Sequence, residues 1–272
     1  LHKMHVTHTS PVRYELPVGS EKISLNELIG HHIHLRHTGN IFCIQCGRKT
    51  KKSFQQGYCF PCYRRLGECH LCMIHPERCL HGEGNCKPDD WVHASCLVPH
   101  VVYLANSSGL KVGITRQSQM PTRWIDQGAI QALPILSTQN RFQAGVIEVA
   151  LKKYVADKTN WRTMLSQMNP KMDLLAEKAR LFQVASEGLE RVQKTFAQSD
   201  IQVLTDSAVH EFLYPVIEYP QKIRVLNLEN SASGIGGHLM GIKGQYLIFD
   251  EGVINIRKYG GYEVKLGEGC CG

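Results

Sequence analysis

Four cysteines in the first quarter of the chain have the spacing of a metal site. Cys43 and Cys46 form one Cys-x2-Cys pair, and Cys59 and Cys62 form a second pair twelve residues further on. Each such turn presents two thiolates on one side, and two turns fill the four positions of a tetrahedral structural zinc. The spacing therefore predicts a zinc ribbon. The alternative is a chance pairing of buried cysteines.

A second group of possible ligands follows, with more donors than one site can use. The candidates are Cys69, Cys72, Cys79, Cys86, Cys96, His75, His81 and His93. The most economical second zinc site uses Cys69, Cys72, Cys79 and Cys86 and leaves Cys96 spare. Four thiolates also suit an iron–sulfur cluster, which stays an alternative. We expect the last two cysteines, Cys270 and Cys271, to form a frayed tail rather than a reactive one.

Positive charge is concentrated on the predicted ribbon. The formal net charge is +7, and no acidic residue lies between Cys43 and Gly67. The basic residues of this segment are Arg48, Lys49, Lys51, Lys52, Arg64 and Arg65. Such a patch on a metal module suits phosphates, so we expect DNA or RNA as the partner. The alternative is a solvated basic loop.

Three further side chains have the types that phosphodiester hydrolysis needs. They are Tyr103 on a predicted strand, Arg123 on a short helix, and Glu148 in "GVIEVALKKY". A tyrosine can orient a water or accept its proton, an arginine can bind two phosphate oxygens, and one carboxylate can hold Mg²⁺ or Mn²⁺. Lys111 and Arg116 add positive charge on the same hairpin. The alternative is a core aromatic, a surface arginine and a glutamate in a salt bridge.

The order of these residues resembles the GIY-YIG nuclease superfamily over residues 101–165. Val101-Val102-Tyr103 stands at the first motif and Lys111-Val112-Gly113 at the second, followed by Arg123 and Glu148. The second tyrosine is replaced by a lysine, as in divergent members. The resemblance implies an endonuclease that uses a divalent metal, with Tyr103, Lys111, Arg123 and Glu148 as its catalytic residues.

The resemblance does not identify one polar residue of the site, and other functions compete with nuclease activity. The polar residue that usually closes such a site is not identifiable, and Asp157 or Asn160 could substitute for it. The main alternative is a non-catalytic nucleic-acid-binding protein with a degenerate nuclease fold; a weaker one is an iron–sulfur or zinc redox protein. The whole chain is also similar to an uncharacterised bacterial family, a domain of unknown function with zinc-binding modules before the nuclease-like domain.

Hydrophobic periodicity divides the chain into five segments of an α+β protein. The segments are a short β unit at 1–40, cysteine-rich zinc modules at 41–100, a small α/β domain at 101–165, an amphipathic helix at 166–200, and a small β-barrel-like domain at 201–272. In the last segment, runs such as "KIRVLNL" and "QYLIFD" predict strands between glycine turns.

The composition fits a folded protein that does not enter a membrane. Hydrophobic residues make up 43% of the chain and charged residues 20%, which permits a buried core. No stretch approaches the ~20 apolar residues of a membrane helix. The start, "LHKMHVTHTS", lacks the apolar core of a signal peptide. We therefore expect a cytoplasmic protein.

Overall fold

The computed structural model describes residues 1–79, 90–166, 169–231 and 234–269, and it confirms the predicted α+β class. Within those ranges the strands form three antiparallel sheets. The helices are α1 (Phe60–Arg65), α2 (Asp90–Ser95), α3 (Thr122–Asp126), α4 (Arg141–Leu151), α5 (Trp161–Ser166), α6 (Leu174–Val184) and α7 (Ser186–Thr195).

The first sheet lies within residues 1–40, where the sequence predicts a short β unit. It contains β1 (His5–Thr7), β2 (Arg13–Val18) and β3 (Glu21–Ser24), paired in that order. Strand β2 alternates as "RYELPV", with Tyr14 and Leu16 buried. Because successive side chains on a strand point to opposite faces, this alternation directs one face of β2 into the core.

The third sheet, here called the terminal sheet, combines two strands from the first fifth of the chain with the last four strands. Its members are β4 (His32–Phe42), β5 (Lys49–Thr50), β11 (Ile235–Lys243), β12 (Tyr246–Phe249), β13 (Gly252–Asn255) and β14 (Tyr262–Glu268). The order is β13-β12-β11-β4-β14, and β5 pairs with β4. The sheet thus joins segments 1–40 and 201–272, which the sequence analysis treats separately. The run "KIRVLNL" forms no strand, and only the Val225–Val253 bridge pairs there.

The central sheet carries the predicted hairpin. It contains β6 (His100–Asn106), β7 (Leu110–Arg116), β8 (Gln131–Thr138), β9 (Ile201–Val203) and β10 (His210–Glu211). The order is β10-β8-β6-β7, and β9 pairs with β8. Every residue of β6 is buried, as expected for a strand with neighbours on both sides and packing on both faces.

Two hydrophobic cores lie on opposite faces of the central sheet, and the alternation along β6 assigns side chains to them. Val102 and Leu104 join the core formed with α4, α6 and α7. Tyr103 and Ala105 join the other core, which contains α3 and both remaining sheets. Tyr103 therefore faces α3 and the other two sheets rather than α4, α6 and α7.

The helical segment predicted at 166–200 is two helices, α6 and α7, with a break at Ala185. The helix begins at Leu174, where the side chain of Asp173 accepts hydrogen bonds from the first-turn amides. Leu181, Ala185 and Val192 are all buried in the same core, so the break keeps the apolar faces of both helices against it.

No helix among the described residues combines the length and the apolar character that a membrane span requires.

Candidate functional site

Tyr103 is fixed from two sides at the middle of β6. Its side chain is fully buried, and its ring lies 5.7 Å from that of Trp124, measured between centroids. The phenol donates a 2.9 Å hydrogen bond to Oε1 of Gln127, just after α3. Burial raises the pKa of Tyr103 to about 12, with the Arg123 guanidinium acting in the opposite direction. At neutral pH the phenol therefore keeps its proton.

Lys111 occupies the facing strand, β7, and is also buried. Its amine donates a 3.3 Å hydrogen bond to Oγ1 of Thr159, and the described residues provide no ion pair at this amine. Burial and the Arg123 guanidinium lower the pKa of Lys111 to about 8, against the effect of the Glu148 and Asp157 carboxyls. A buried amine with such a pKa can exchange a proton near neutral pH.

Glu148 is positioned by helix α4. The helix begins after Asn140, whose side chain accepts a 3.0 Å hydrogen bond from the amide of Gln143. Ala144, Ile147 and Leu151 form the buried stripe of the helix at steps of three and four. Glu148 lies beside that stripe and is partly buried.

The predicted residues line one cavity of about 770 Å³. Tyr103, Lys111, Arg123 and Glu148 all contribute to its wall, and so does Arg116. Tyr103 is at the same time a member of a hydrophobic core, as the alternative expects for it. The cavity is large enough for a phosphodiester segment of a nucleic acid rather than for a single ion.

Four further residues in the cavity wall have polar or charged side chains. The sequence alone did not indicate three of them. Asp157 was considered as a polar substitute, whereas Gln127, Arg141 and Arg257 were not identified. Arg141 begins α4 and donates a 2.8 Å hydrogen bond to the carbonyl of Met73. No local pattern marks Arg257, which lies in the 3-10 helix Ile256–Tyr259 between two strands of the terminal sheet.

The loop between Cys46 and Cys59 packs against Gly260, just after the 3-10 helix that contains Arg257. Ser53 Oγ donates a 2.8 Å hydrogen bond to the carbonyl of Gly260. A side chain at Gly260 would overlap the carbonyl of Gln56, so glycine permits the close approach. Burial and the nearby Arg123 guanidinium lower the pKa of Arg257. Arg123 and Arg257 thus place two guanidinium groups in the wall of the same cavity.

Four acidic residues line the cavity, and Glu148 and Asp157 are two of them, with Glu68 and Asp126. Burial, and next the Asp157 carboxylate, raise the pKa of Glu148 to about 7, against the effect of Lys111 and Arg141. These two carboxyl groups provide oxygen donors of the kind that a divalent cation prefers.

The four cysteines of the predicted ribbon come together. One sulfur from each of Cys43, Cys46, Cys59 and Cys62 lies within 4.8 Å of the others, which suits a structural zinc. Burial raises the pKa of Cys43, but hydrogen bonds from the backbone amides of Cys59, Cys46 and Gln45 outweigh it and lower the pKa to about 6. The prediction that these four cysteines form one group that could bind a structural zinc is confirmed.

The second metal site stays a prediction. Cys69, Cys72 and Cys79 are partly buried along the 3-10 turns that follow α1. Cys86 and His81 lie outside the described residues, as do Cys270 and Cys271. Within the described part of the chain, the first ribbon is the only place where three or more His, Cys, Asp or Glu ligand atoms lie close enough to hold one metal ion.

The basic residues predicted to contact nucleic acid are on the surface. All six of the ribbon's basic side chains are exposed: Arg48, Lys49, Lys51, Lys52, Arg64 and Arg65. Arg116 differs, because it is partly buried in the cavity wall and donates a 3.0 Å hydrogen bond to Oγ of Ser95.

Comparison with known proteins gives a family. The chain matches no curated protein. It also matches no solved structure. The family model described as "Protein of unknown function (DUF2797)" matches residues 30–264, which include the four-cysteine group, every lining residue discussed above and most of the terminal sheet. The chain therefore belongs to the DUF2797 family.

Proposed function

We propose that this protein is a nucleic-acid-binding zinc protein that hydrolyses phosphodiester bonds with a divalent metal, as a divergent GIY-YIG-like endonuclease. The observation that carries the proposal is the convergence of Tyr103, Lys111, Arg123 and Glu148 on one cavity wall. These side chains come from a hairpin and from two separate helices. A structured DNA or RNA is the proposed substrate.

The charges of the cavity favour a phosphate ligand. Arg123 and Arg257 form no ion pair with a carboxylate among the residues that the structure describes. The Asp126 carboxylate offsets part of the positive charge at Arg257, against the effects of burial and of Arg123. A bound phosphodiester would bring further negative charge to two guanidinium groups that have no direct ion pair in the described ranges. Each guanidinium can donate two parallel hydrogen bonds to phosphate oxygens.

The donor set fits Mg²⁺ or Mn²⁺. Glu148 and Asp157 supply carboxylate oxygens on the same wall as the phosphate-binding groups. When bound, such a cation neutralises phosphate charge and lowers the pKa of a coordinated water. The residues of the chain would hold the cation through Glu148, with Asp157 as the second candidate ligand.

Proton transfer can be divided between Tyr103 and Lys111. The Tyr103 proton is directed to Gln127, which leaves the phenol oxygen able to accept a hydrogen bond from a water molecule. Tyr103 would thus orient the attacking water and keep its own proton, in line with its raised pKa. Lys111, with a pKa near 8, is the better candidate to take up the proton, in the place of the second tyrosine.

One observation favours a second candidate function, binding without catalysis. Tyr103 and Lys111 are almost entirely buried, with relative exposures of 0% and 4%. A wall so closely packed leaves little of either side chain open to a substrate. A degenerate nuclease fold would keep the same packing and the same basic surface.

A cleavage assay separates the two candidates. Wild-type protein with Mg²⁺ or Mn²⁺ should cut at least one member of a panel of branched, single-stranded and duplex DNA and RNA substrates. Glu148→Gln should lower cleavage by about a hundred-fold or more while leaving substrate affinity nearly unchanged. Glu190→Gln, in the exposed part of α7, is the matched control. If wild-type protein binds these substrates and cuts none of them, binding without catalysis is the function.

A further inference from the structure

The zinc ribbon carries aromatic rings on its surface. The side chain of Phe60 is 53% exposed and that of Tyr63 is 36% exposed. Both rings pack against Phe54, at centroid distances of 5.5 Å and 5.6 Å, and the Tyr63 ring is nearly parallel to it at 20°. A soluble surface seldom gathers three rings in this way unless something binds there.

Positive charge surrounds these rings. The amine of Lys52 lies 5.4 Å from the centroid of Phe54. Arg64 and Arg65, in the last turn of α1, are exposed. No acidic residue lies in the ribbon from residue 43 to residue 67. We call the surface formed by Phe54, Phe60 and Tyr63 with Lys52, Arg64 and Arg65 the ribbon face.

We infer that the ribbon face binds a single-stranded segment of nucleic acid. Unpaired bases stack on exposed aromatic rings, whereas the bases of a duplex already stack on one another and present their edges. The lysine and arginines around the rings would contact the backbone phosphates between stacked bases. A protein partner is the weaker fit, because its apolar surface would have to bury uncompensated positive charge.

The ribbon face continues directly into the cavity. Gln55 follows Phe54 in the chain, and Gln55, Gln56 and Tyr58 line the cavity that contains Tyr103. Gln55 and Gln56 both have positive φ, 43° and 67°, which is uncommon for residues other than glycine. The side chain of Gln55 is held by a 3.1 Å hydrogen bond from Nε2 to the carbonyl of Glu68. A single strand of nucleic acid whose bases stack on the rings would therefore run along this loop, which Gln55 holds in place, toward the cavity.

Binding of a single strand and its delivery to the cavity depend on different parts of the protein. Binding of a single strand depends on the ribbon face alone. Delivery of that strand to the cavity rests on the proposed function and narrows its substrate class to a nucleic acid with an unpaired segment beside the bond that is cut.

Binding is tested with the full chain, loaded with zinc and without chelator or added Mg²⁺. Fluorescent DNA and RNA strands of about 16 nucleotides are compared with duplexes of the same sequence. Phe60→Ala and Tyr63→Ala should each weaken single-strand binding by about five-fold or more, because each ring stacks on one base. Duplex affinity should change by less than about two-fold. Comparing DNA with RNA identifies which of the two the face prefers.

Three controls make the result specific. Tyr154→Ala removes a tyrosine that is 46% exposed elsewhere on the surface, and it should leave affinity unchanged. Tyr63→Phe and Phe60→Tyr keep the ring and should bind as wild type does. Zinc content and thermal unfolding of each variant show that the ribbon is intact.

Neutralising Lys52, Arg64 and Arg65 together should reduce the salt dependence of single-strand binding.

Single-strand binding by the ribbon face and cleavage in the cavity can be disproved separately. Single-strand affinity that is unchanged in Phe60→Ala and Tyr63→Ala, or an equal loss for duplex and single strand, overturns the inference even if the protein cleaves. Loss of single-strand binding together with no cleavage by the wild type supports the ribbon face and refutes the nuclease. Cleavage of substrates with an unpaired segment, reduced in both alanine variants, supports both.

Discussion

Gly113 lies directly opposite Tyr103 in the β6–β7 pair, and a Cβ at position 113 would be 2.7 Å from the Tyr103 hydroxyl oxygen. The φ of Gly113 is not in the left-handed region, so its role is space rather than backbone conformation. The missing side chain lets the phenol lie flat across the neighbouring strand, where it reaches Gln127.

We therefore predict that Gly113→Ala displaces the tyrosine ring. Because the methyl group would meet the ring of a fully buried residue, the expected loss is about 1–3 kcal/mol of unfolding free energy and about a hundred-fold in cleavage rate. Chemical denaturation and the cleavage assay measure the two effects. Gly188→Ala in α7 is the control, since its Cβ would meet only Ala150 at 3.8 Å. Wild-type cleavage by Gly113→Ala would show that the position of the phenol is unimportant.

The cavity arginine from the terminal sheet should be needed for the reaction. We expect Arg257→Ala to lower cleavage by about ten-fold or more, because a hydrogen-bonded cation at a phosphate contributes about 1.5–3 kcal/mol. Arg257→Lys should recover part of the loss, since lysine keeps the charge without the fork. Steady-state kinetics on a cleavable substrate test this, with the exposed Arg224→Ala as the matched control. Equal activity of Arg257→Ala and Arg224→Ala would remove Arg257 from the site.

Metal removal should unfold the ribbon. Structural zinc contributes about 10 kcal/mol or more to the folding of small zinc domains, so Cys59→Ser should lose one zinc and melt at a lower temperature. Metal analysis by mass spectrometry, for both zinc and iron, measures the stoichiometry. Cys96→Ser, outside the four-cysteine group, should keep this zinc.

The same measurement tests the second cluster. Two metal ions per wild-type chain, falling to one in Cys69→Ser, would support the site predicted from Cys69, Cys72, Cys79 and Cys86. A single zinc that Cys69→Ser retains would argue against it. Iron with absorbance in the visible range would favour an iron–sulfur cluster instead.

A buried lysine that does not line the cavity should lower the stability of the protein near neutral pH. The amine of Lys243 is fully buried, lies 5.1 Å from the ring centroid of Tyr219, and has no hydrogen-bond acceptor among the described residues. Burial lowers the pKa of Lys243 to about 8. Lys243→Met, of similar length, should therefore raise the free energy of unfolding by about 1–3 kcal/mol at neutral pH.

The sign of the pH dependence follows from this lowered pKa. Below about pH 8 the lysine is protonated in the folded and unfolded states, so the folded state bears the full cost of the buried charge. Above that pH the folded state releases the proton and the unfolded state keeps it, so wild-type stability rises relative to the variant. Denaturation at about pH 6.5 and about pH 9.5 should show a smaller difference at the higher pH. Lys222→Met, at an exposed lysine, should show no such trend.

The sequence predicts the candidate site only where the pattern involves residues that are close together in the chain. The Cys-x2-Cys turns, the buried strand around Tyr103 and the stripe of α4 each depend on neighbours within a few residues, and the structure places them as the sequence predicts. The helix predicted at 166–200 is divided in two, because packing of both halves on one core outweighs continuous helical periodicity.

The sequence by itself determined the four-cysteine group, the order of the four cavity residues and the α+β class, since these follow from short-range spacing and alternation. Only the tertiary structure decided that β4 pairs with β11 and β14, and that Arg257 joins Arg123 in one cavity. Such pairings connect positions more than a hundred residues apart. They are selected by the packing of the whole chain, in which many registers are compatible with the same local pattern.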